Sequence, residues 1–309
     1  MNILQDIEIV AQQISARTER FYISIGGISC AIISQDISFL DQLRERFGSA
    51  EPAGKVAYEI ILILASHQEL LADDDKQPRH PSISRVKSGN NYIIRQVDNP
   101  FLAIVNTLSG KVLVKMPRDL NSFDSFLRIL FTLILIDDKA VLLKASAVSE
   151  NGQGSVFFGP SGSGKTTVAR LSQGHTLIAD DLVIIKPHNG RYRVYGTPFW
   201  DELTNEGSDN ARAELSGLYL LQKDNENSLE LIDNTQAVSE LYRNVLVFSD
   251  DGKLLSRIVR ACYNLANTVP VYKLHFRLDP SFWELVRKQK QTVFQSPVNT
   301  LISPGKGSM

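Results

Sequence analysis

Apolar and polar positions along this 309-residue chain follow two rhythms, alternation every second residue and recurrence every three to four. Near the start, "FYISIGG" and "SCAIIS" read as paired strands turning at Gly26-Gly27. "ISFLDQLRERFG" has helical spacing and stops at Gly48, a residue suited to a helix C-terminus. "YEIILILA" (Tyr58 to Ala65) is a buried strand, and "NNYIIRQ" and "KVLVKM" are shorter strands separated by turn-like polar stretches. Between "YEIILILA" and "NNYIIRQ", "SHQELLADDDKQPRHPS", acidic and then proline-flanked, reads as an exposed loop. This is an α+β module over residues 1–118, with no chemistry that its residues name.

A second unit, residues 119–309, opens with "LNSFDSFLRILFTLILIDD". It predicts a buried helix with Asn121 or Ser122 as N-cap and Asp124 in the first turn. Two hairpins are expected next, Ala140 to Phe158 and Leu182 to Tyr195, with a short helix from Thr166 to Gln173 between them. "GLYLLQ" and "LELID" suggest a third hairpin. "TQAVSELYRNVLVF" and "KLLSRIVRACYNLANT" suggest two amphipathic helices. "VYKLHFRL" is a strand, and "DPSFWELVRKQK" a helix with Asp279 at the N-cap and Pro280 at the first helical position. The polar tail from Ser296 to Met309 reads as loose. The fold class is α/β in composition and α+β in arrangement, the second unit having a mixed sheet.

Composition narrows the partners. Apolar residues make up 43% and charged residues 22%, as in a soluble globular protein. A formal net charge of −1 supplies no field to draw the chain to nucleic acid or anionic lipid. Cys30 and Cys262 stand apart in apolar surroundings and read as buried thiols. "MNILQDIEIV" lacks a basic segment and an apolar core, so no signal peptide is expected. "FLRILFTLILI" is too short to span a bilayer and carries Arg128. A cytoplasmic protein follows, with neither membrane nor nucleic acid as partner.

The chemistry lies in "SVFFGPSGSGKTTVARL", where an apolar strand runs into Gly159, Pro160, Ser161, Gly162, Ser163, Gly164, Lys165, Thr166 and Thr167. The pattern GxxxxGK[ST] between a strand and a helix is that of a phosphate-binding loop. Glycines let successive backbone N–H groups wrap a phosphate, Lys165 neutralises charge on the β- and γ-phosphates, and the Thr166 hydroxyl is placed to ligate Mg²⁺. Farther on, "HTLIADDLVIIK" ends one apolar strand in Asp180 and Asp181. Adjacent strand residues face opposite ways, so both carboxylates reach one site only if the chain bends there. One would then serve the metal and the other an attacking hydroxyl; a solvated turn is the simpler alternative. Hairpins on both sides of the loop argue against the parallel sheets of switch and motor proteins.

"LLKASAVSENGQGSVFFGPSGSGKTTVARLSQGHTLIADDLVII" resembles the catalytic core of HPr serine kinase/phosphorylase and its wider group of related kinases. That group is similar in fold to the ATP-type phosphoenolpyruvate carboxykinases. The resemblance covers Leu142 to Phe199 and extends more loosely to "VPVYKLHFRLDPSFWELV". It implies ATP- and Mg²⁺-dependent transfer to a hydroxyl, with Asp180 as general base and Asp181 helping to hold the metal. Glu202, in "TPFWDE", would support the metal. Where HPr kinases carry a histidine before the loop, this chain has Lys144, which cannot share a proton with Asp180 near neutral pH. Lys144 would instead pair with Asp180 or with phosphate. The downstream glycine-rich segment that grips HPr is replaced by "YGTPFWDELTNEG", so HPr is not the expected substrate.

Two functions follow. One is a kinase phosphorylating a serine- or threonine-type hydroxyl of a peptide, protein or small molecule; relatives beside peptide-tailoring systems make a ribosomally made peptide one such acceptor. The other is a nucleotide-binding regulatory or scaffold protein with weak or no transfer, for which Lys144 is the main support. HPr kinases are multimers, which raises a homo-oligomer, although the N-terminal half differs here. His175 reads as structural, and Arg243 and Arg257 as solvated helix-face residues.

Overall fold

The computed structural model of the chain describes residues 18–48, 54–71, 82–85, 90–199 and 211–295. The fold is α+β, with two mixed sheets whose strands fall on either side of residue 118. The first sheet begins with the expected hairpin, β1 (Glu19–Ile25) and β2 (Ile28–Ser34). Its turn puts Gly26 and Gly27 at φ 59° and 75°, the left-handed pair that a two-residue hairpin demands. β2 runs into helix α1 (Ile37–Phe47), and the chain returns as β3 (Tyr58–Leu64), parallel to β2. Phe39, Leu40, Leu43 and Phe47 form the buried stripe of α1.

A short helix, α2 (His67–Leu71), stands at the head of the stretch read as a loop, whose residues 72–81 lie outside those described. The sheet is completed by β4 (Ser82–Arg85), β5 (Asn91–Gln96), β6 (Phe101–Asn106) and β7 (Lys111–Met116). The order is β1-β2-β3-β7-β6-β5-β4, with β7 parallel to β3 and the rest of the meander antiparallel. β6 occupies one of the stretches read as polar turn; Phe101, Ala103 and Val105 alternate inward along it.

Helix α3 (Leu120–Ile134) links the sheets. Ten of its fifteen residues are buried, because Phe123 and Phe126 pack toward Phe47 and Phe101 while Phe131 packs on Phe199. Its cap is Asp119, not Asn121 or Ser122: the Asp119 carboxylate accepts the Ser122 N–H at 2.8 Å, and Ser122 is itself buried inside the helix. One hydrophobic cluster runs from Phe21 through this helix to Val271.

The second sheet holds β8 (Val141–Glu150), β9 (Gln153–Phe158), β10 (Thr176–Ala179), β11 (Leu182–His188), β12 (Arg191–Tyr195), β13 (Arg212–Lys223), β14 (Ser228–Leu231) and β15 (Val271–Phe276). Both predicted hairpins, β8–β9 and β11–β12, are present. β11 lies against β8 and β12 against β13, while β9 joins β8 to β13, so these five strands close into a ring. The expected pairing of "GLYLLQ" with "LELID" does not form. β13 already has β9 on one edge and β12 and β15 on the other, so β14 pairs with β15 instead.

Between β9 and β10 stands α4 (Lys165–Leu171). After β14 come α5 (Asn234–Asn244) and α6 (Gly252–Thr268), and after β15 comes α7 (Phe282–Gln295). α5 ends before "VLVF", where Val245 turns extended and bridges Leu143. α7 begins two residues after Pro280, although the Asp279 carboxylate does accept the Ser281 N–H. The residues of the expected loose tail, 296–309, lie outside those described. Cys30 and Cys262 are buried free thiols, each pushed up to about 12 chiefly by desolvation. Among the described residues, no helix is long and apolar enough to cross a membrane.

Candidate phosphate-loop site

β9 delivers the chain at Phe158 into the glycine loop, and α4 leaves from its far side. Gly159, Gly162 and Gly164 take φ values of 149°, 79° and 107°, which lets the loop curl back on itself. Gly164 is the tightest point: a Cβ there would lie 2.7 Å from the Phe276 ring, at the end of β15. It is also the N-cap of α4 and supplies no side-chain hydrogen bond to the first-turn amides. Those donors are therefore open to an acceptor from outside the helix.

Lys165 is 9% exposed, and its ammonium donates to the carbonyl oxygens of Gly159 and Pro160 at 2.9 and 3.0 Å. Desolvation, then the nearby charge of Lys144, lower its pKa from the ordinary value, against the opposite pull of Asp181. These influences place Lys144 and Asp181 within electrostatic reach of the loop lysine. Lys144 is an exposed residue of β8. Two positions along the same strand, the Ser146 hydroxyl donates to the Lys165 carbonyl at 3.0 Å and ties β8 to the helix. Thr166 and Thr167 follow in the first turn of α4.

The acidic pair lies at a bend between β10 and β11, as the two-carboxylate reading requires. β10 and β11 run along one edge of β8, Ala179 opposite Ala147 and Leu182 opposite Lys144. Asp180 and Asp181 therefore lie across from Ser146 and Ala145, and the Asp181 carbonyl accepts the Ala145 N–H at 2.9 Å. Asp180 is 2% and Asp181 8% exposed. Glu202 lies outside the described residues.

Arg128, which the sequence offered only as a charge in an apolar run, reaches the pair from α3. It donates to Asp181 at 2.9 Å and to Asp124 at 2.5 Å, with its guanidinium 5.2 Å from the centre of the Phe199 ring. Burial would lower its pKa, but Asp124 and Asp181 outweigh that and hold it above its ordinary value. Arg46 of α1 lies 3.8 Å from Asp124 and donates to the Pro198 carbonyl at 3.1 Å. The only advance signal for Arg128 was its place one helical turn from Asp124, inside the apolar run of α3.

The remaining candidates sit elsewhere. His175 stacks on Trp283 at 4.1 Å and contacts Ser172 and Glu150. Arg243 pairs with Glu240 on its own helix, and Arg257 pairs with Asp137.

The fold is that of an α+β protein with a glycine-rich GxxxxGK[ST] loop set among hairpins. The chain belongs to the family of the SynChlorMet cassette protein ScmC, whose family model matches residues 123–291, more than half of the chain. Among solved structures it is similar to the Hpr(Ser) kinase/phosphatase from Coxiella burnetii, at 14% identity and a TM-score of 0.29, over 50% of this chain and 99% of that one. No curated protein matches it.

Proposed function

We propose that this ScmC-family chain is an ATP- and Mg²⁺-dependent kinase that transfers the γ-phosphoryl group to a serine- or threonine-type hydroxyl of a peptide, protein or small molecule. The observation that carries the reading is the meeting, along β8, of the glycine loop with the Asp180-Asp181 bend. Ser146 fastens the loop lysine's carbonyl on one side, and the aspartates lie across the strand pair on the other.

The Thr166 hydroxyl and the Asp181 carboxylate would supply oxygen donors, which suit Mg²⁺ and leave Asp180 for the attacking hydroxyl. Among the described residues no group of three or more His, Cys, Asp or Glu gathers into a cage. One or two carboxylates with substrate phosphates are the usual Mg²⁺ arrangement, so the set suffices. Bound there, the cation would neutralise charge that develops on the phosphates.

The chain's own residues do the rest. Backbone N–H groups of residues 161–166 wrap the phosphates, and Lys165 leaves its two loop carbonyls to pair with phosphate oxygen. Asp180 accepts the proton of the attacking hydroxyl as its oxygen bonds to the γ-phosphorus; the bond to the β-phosphate oxygen breaks and ADP leaves. Arg128 holds Asp181 in place. Lys144 stands beside Lys165 where HPr kinases carry a histidine, so the reverse phosphorolysis is not expected.

A second reading, a nucleotide-binding regulator with little transfer, draws on the same Arg128–Asp181 ion pair, which already occupies one carboxylate of the set. The test is transfer from γ-labelled ATP with Mg²⁺ to serine- and threonine-containing peptides and small hydroxyl compounds. Transfer lost in Asp180→Asn and in Lys165→Ala supports the kinase. ATP binding with no transfer to any acceptor moves the assignment to the regulator.

A further inference from the structure

The glycine loop has two flanks, and only one carries the acidic pair. β8, with Lys144 and the aspartates across from it, lies on one edge of β9. On the other edge β13 runs parallel to β9, and β15 parallel to β13, so the carboxyl ends of these strands point the same way as the loop. The carboxyl ends of neighbouring parallel strands are a common seat for ligands in α/β folds. A cavity of about 510 Å³ lies there, lined by Lys223, Asp224, Asn225, Arg277 and Leu278. Its size is that of a small-molecule site.

The crevice adjoins the loop directly. From the position of a Gly164 Cβ, the Phe276 ring lies 2.7 Å away and the Lys223 Cε 3.4 Å away. Arg277 and Leu278 follow Phe276 in the chain, and the Asp224 N–H is anchored on the Phe276 carbonyl at 3.0 Å. The Arg277 N–H is likewise held by the Asn227 side chain at 2.8 Å, so a backbone amide anchors each wall. Leu278 is a large apolar side chain left 64% exposed at this rim. An exposed leucine beside amide, carboxylate and cationic groups suits a flat, partly apolar ligand with polar edges.

We propose that this crevice holds the ribose and base of the nucleotide whose phosphates the glycine loop takes. The inference rests on the nucleotide-binding reading above and adds the direction in which the nucleotide lies. With the γ-phosphate toward Asp180, the nucleoside falls on the β13–β15 flank. Leu278 forms a ledge under the base, Asn225 and Asp224 meet hydroxyl and ring-edge groups, and Lys223 and Arg277 line the approach to the phosphates. Arg277 remains partnered to Asp279 at 3.0 Å, which orients its guanidinium.

The experiment is calorimetric titration of the full chain with ATP and, separately, with inorganic tripolyphosphate, both with Mg²⁺, for the wild type, Asn225→Ala, Leu278→Asp and Lys165→Ala. The expected result for Asn225→Ala and Leu278→Asp is ATP binding weakened about tenfold with tripolyphosphate unchanged, the loss of one good polar or apolar contact. Lys165→Ala should weaken both ligands. If Asn225→Ala and Leu278→Asp leave ATP binding unchanged, or weaken both ligands equally, the crevice is not the nucleoside site and the nucleotide-binding reading stands. If the wild type binds neither ligand, that reading falls and this one with it.

Discussion

The two sheets open with the same local plan and finish it differently. In each, an antiparallel hairpin (β1–β2, β8–β9) hands its second strand into a helix, and that strand takes a parallel partner on its free edge (β3, β13). In each, a cavity opens where the strands end; the one in the first sheet, about 810 Å³, is lined by Ser34 to Ser38, Leu62 to Leu64 and Lys115. The turns differ in who serves the helix amides. At the head of α1 the Asp36 carboxylate accepts the Phe39 N–H at 2.8 Å, so the chain's own negative charge fills the place an anion would take. At the head of α4 Gly164 leaves it open, and Lys165 adds a cation. Crevice and helix are common to both turns; the cap is what differs.

That contrast can be broken in four ways. Lys165→Ala should lower ATP affinity about a hundredfold, roughly 3 kcal/mol for a charge-assisted contact, read by calorimetry, while urea unfolding changes little. Unchanged affinity would sink the loop as the nucleotide seat. Gly164→Ala places a Cβ on the Phe276 ring at a φ of 107°, so it should cost about 2–4 kcal/mol in urea unfolding and remove ATP binding as well. Asp36→Ala, at the matching position of the first sheet, should cost about 1 kcal/mol of stability and leave ATP binding untouched. Loss of ATP binding there would show that the two turns do not work separately.

The smallest effect concerns pH. Lys165 has a lowered pKa in the folded chain, so between that value and the ordinary lysine value the unfolded state binds more protons at this position. Stability therefore rises with pH across that window. Urea unfolding at several alkaline pH values should show the rise in the wild type and a shallower one in Lys165→Met. Identical slopes would mean that the ammonium is not desolvated in the loop.

How far the chain could be read follows from the range of each interaction. The Gly26-Gly27 hairpin, α1 with its Gly48 stop, and the β8–β9 and β11–β12 pairs were legible because turn and periodicity lie within a dozen residues. β6 was not, since its inward residues Phe101, Ala103 and Val105 are interleaved with the apolar Leu102 and Ile104 beside a turn-rich stretch, which blurs the alternation. The α3 cap was missed by two or three residues, Ser122 looking like a capping residue although it is consumed by the core. The pairing of β14 was missed because edge occupancy on β13 depends on β9, β12 and β15 together.

By itself the sequence determined the glycine loop, the lysine and threonine that follow it, and the presence of an acidic pair downstream. Glycine spacing and strand-to-helix order are local properties of neighbouring residues. Only the tertiary structure decided that the aspartates lie across β8 from the loop, that Arg128 comes 53 positions along the chain to hold Asp181, and that Phe276 and Lys223 wall the far side of Gly164. Those relations are set by sheet register and by ion pairs between distant segments, and neither leaves a mark in the spacing of residues along the chain.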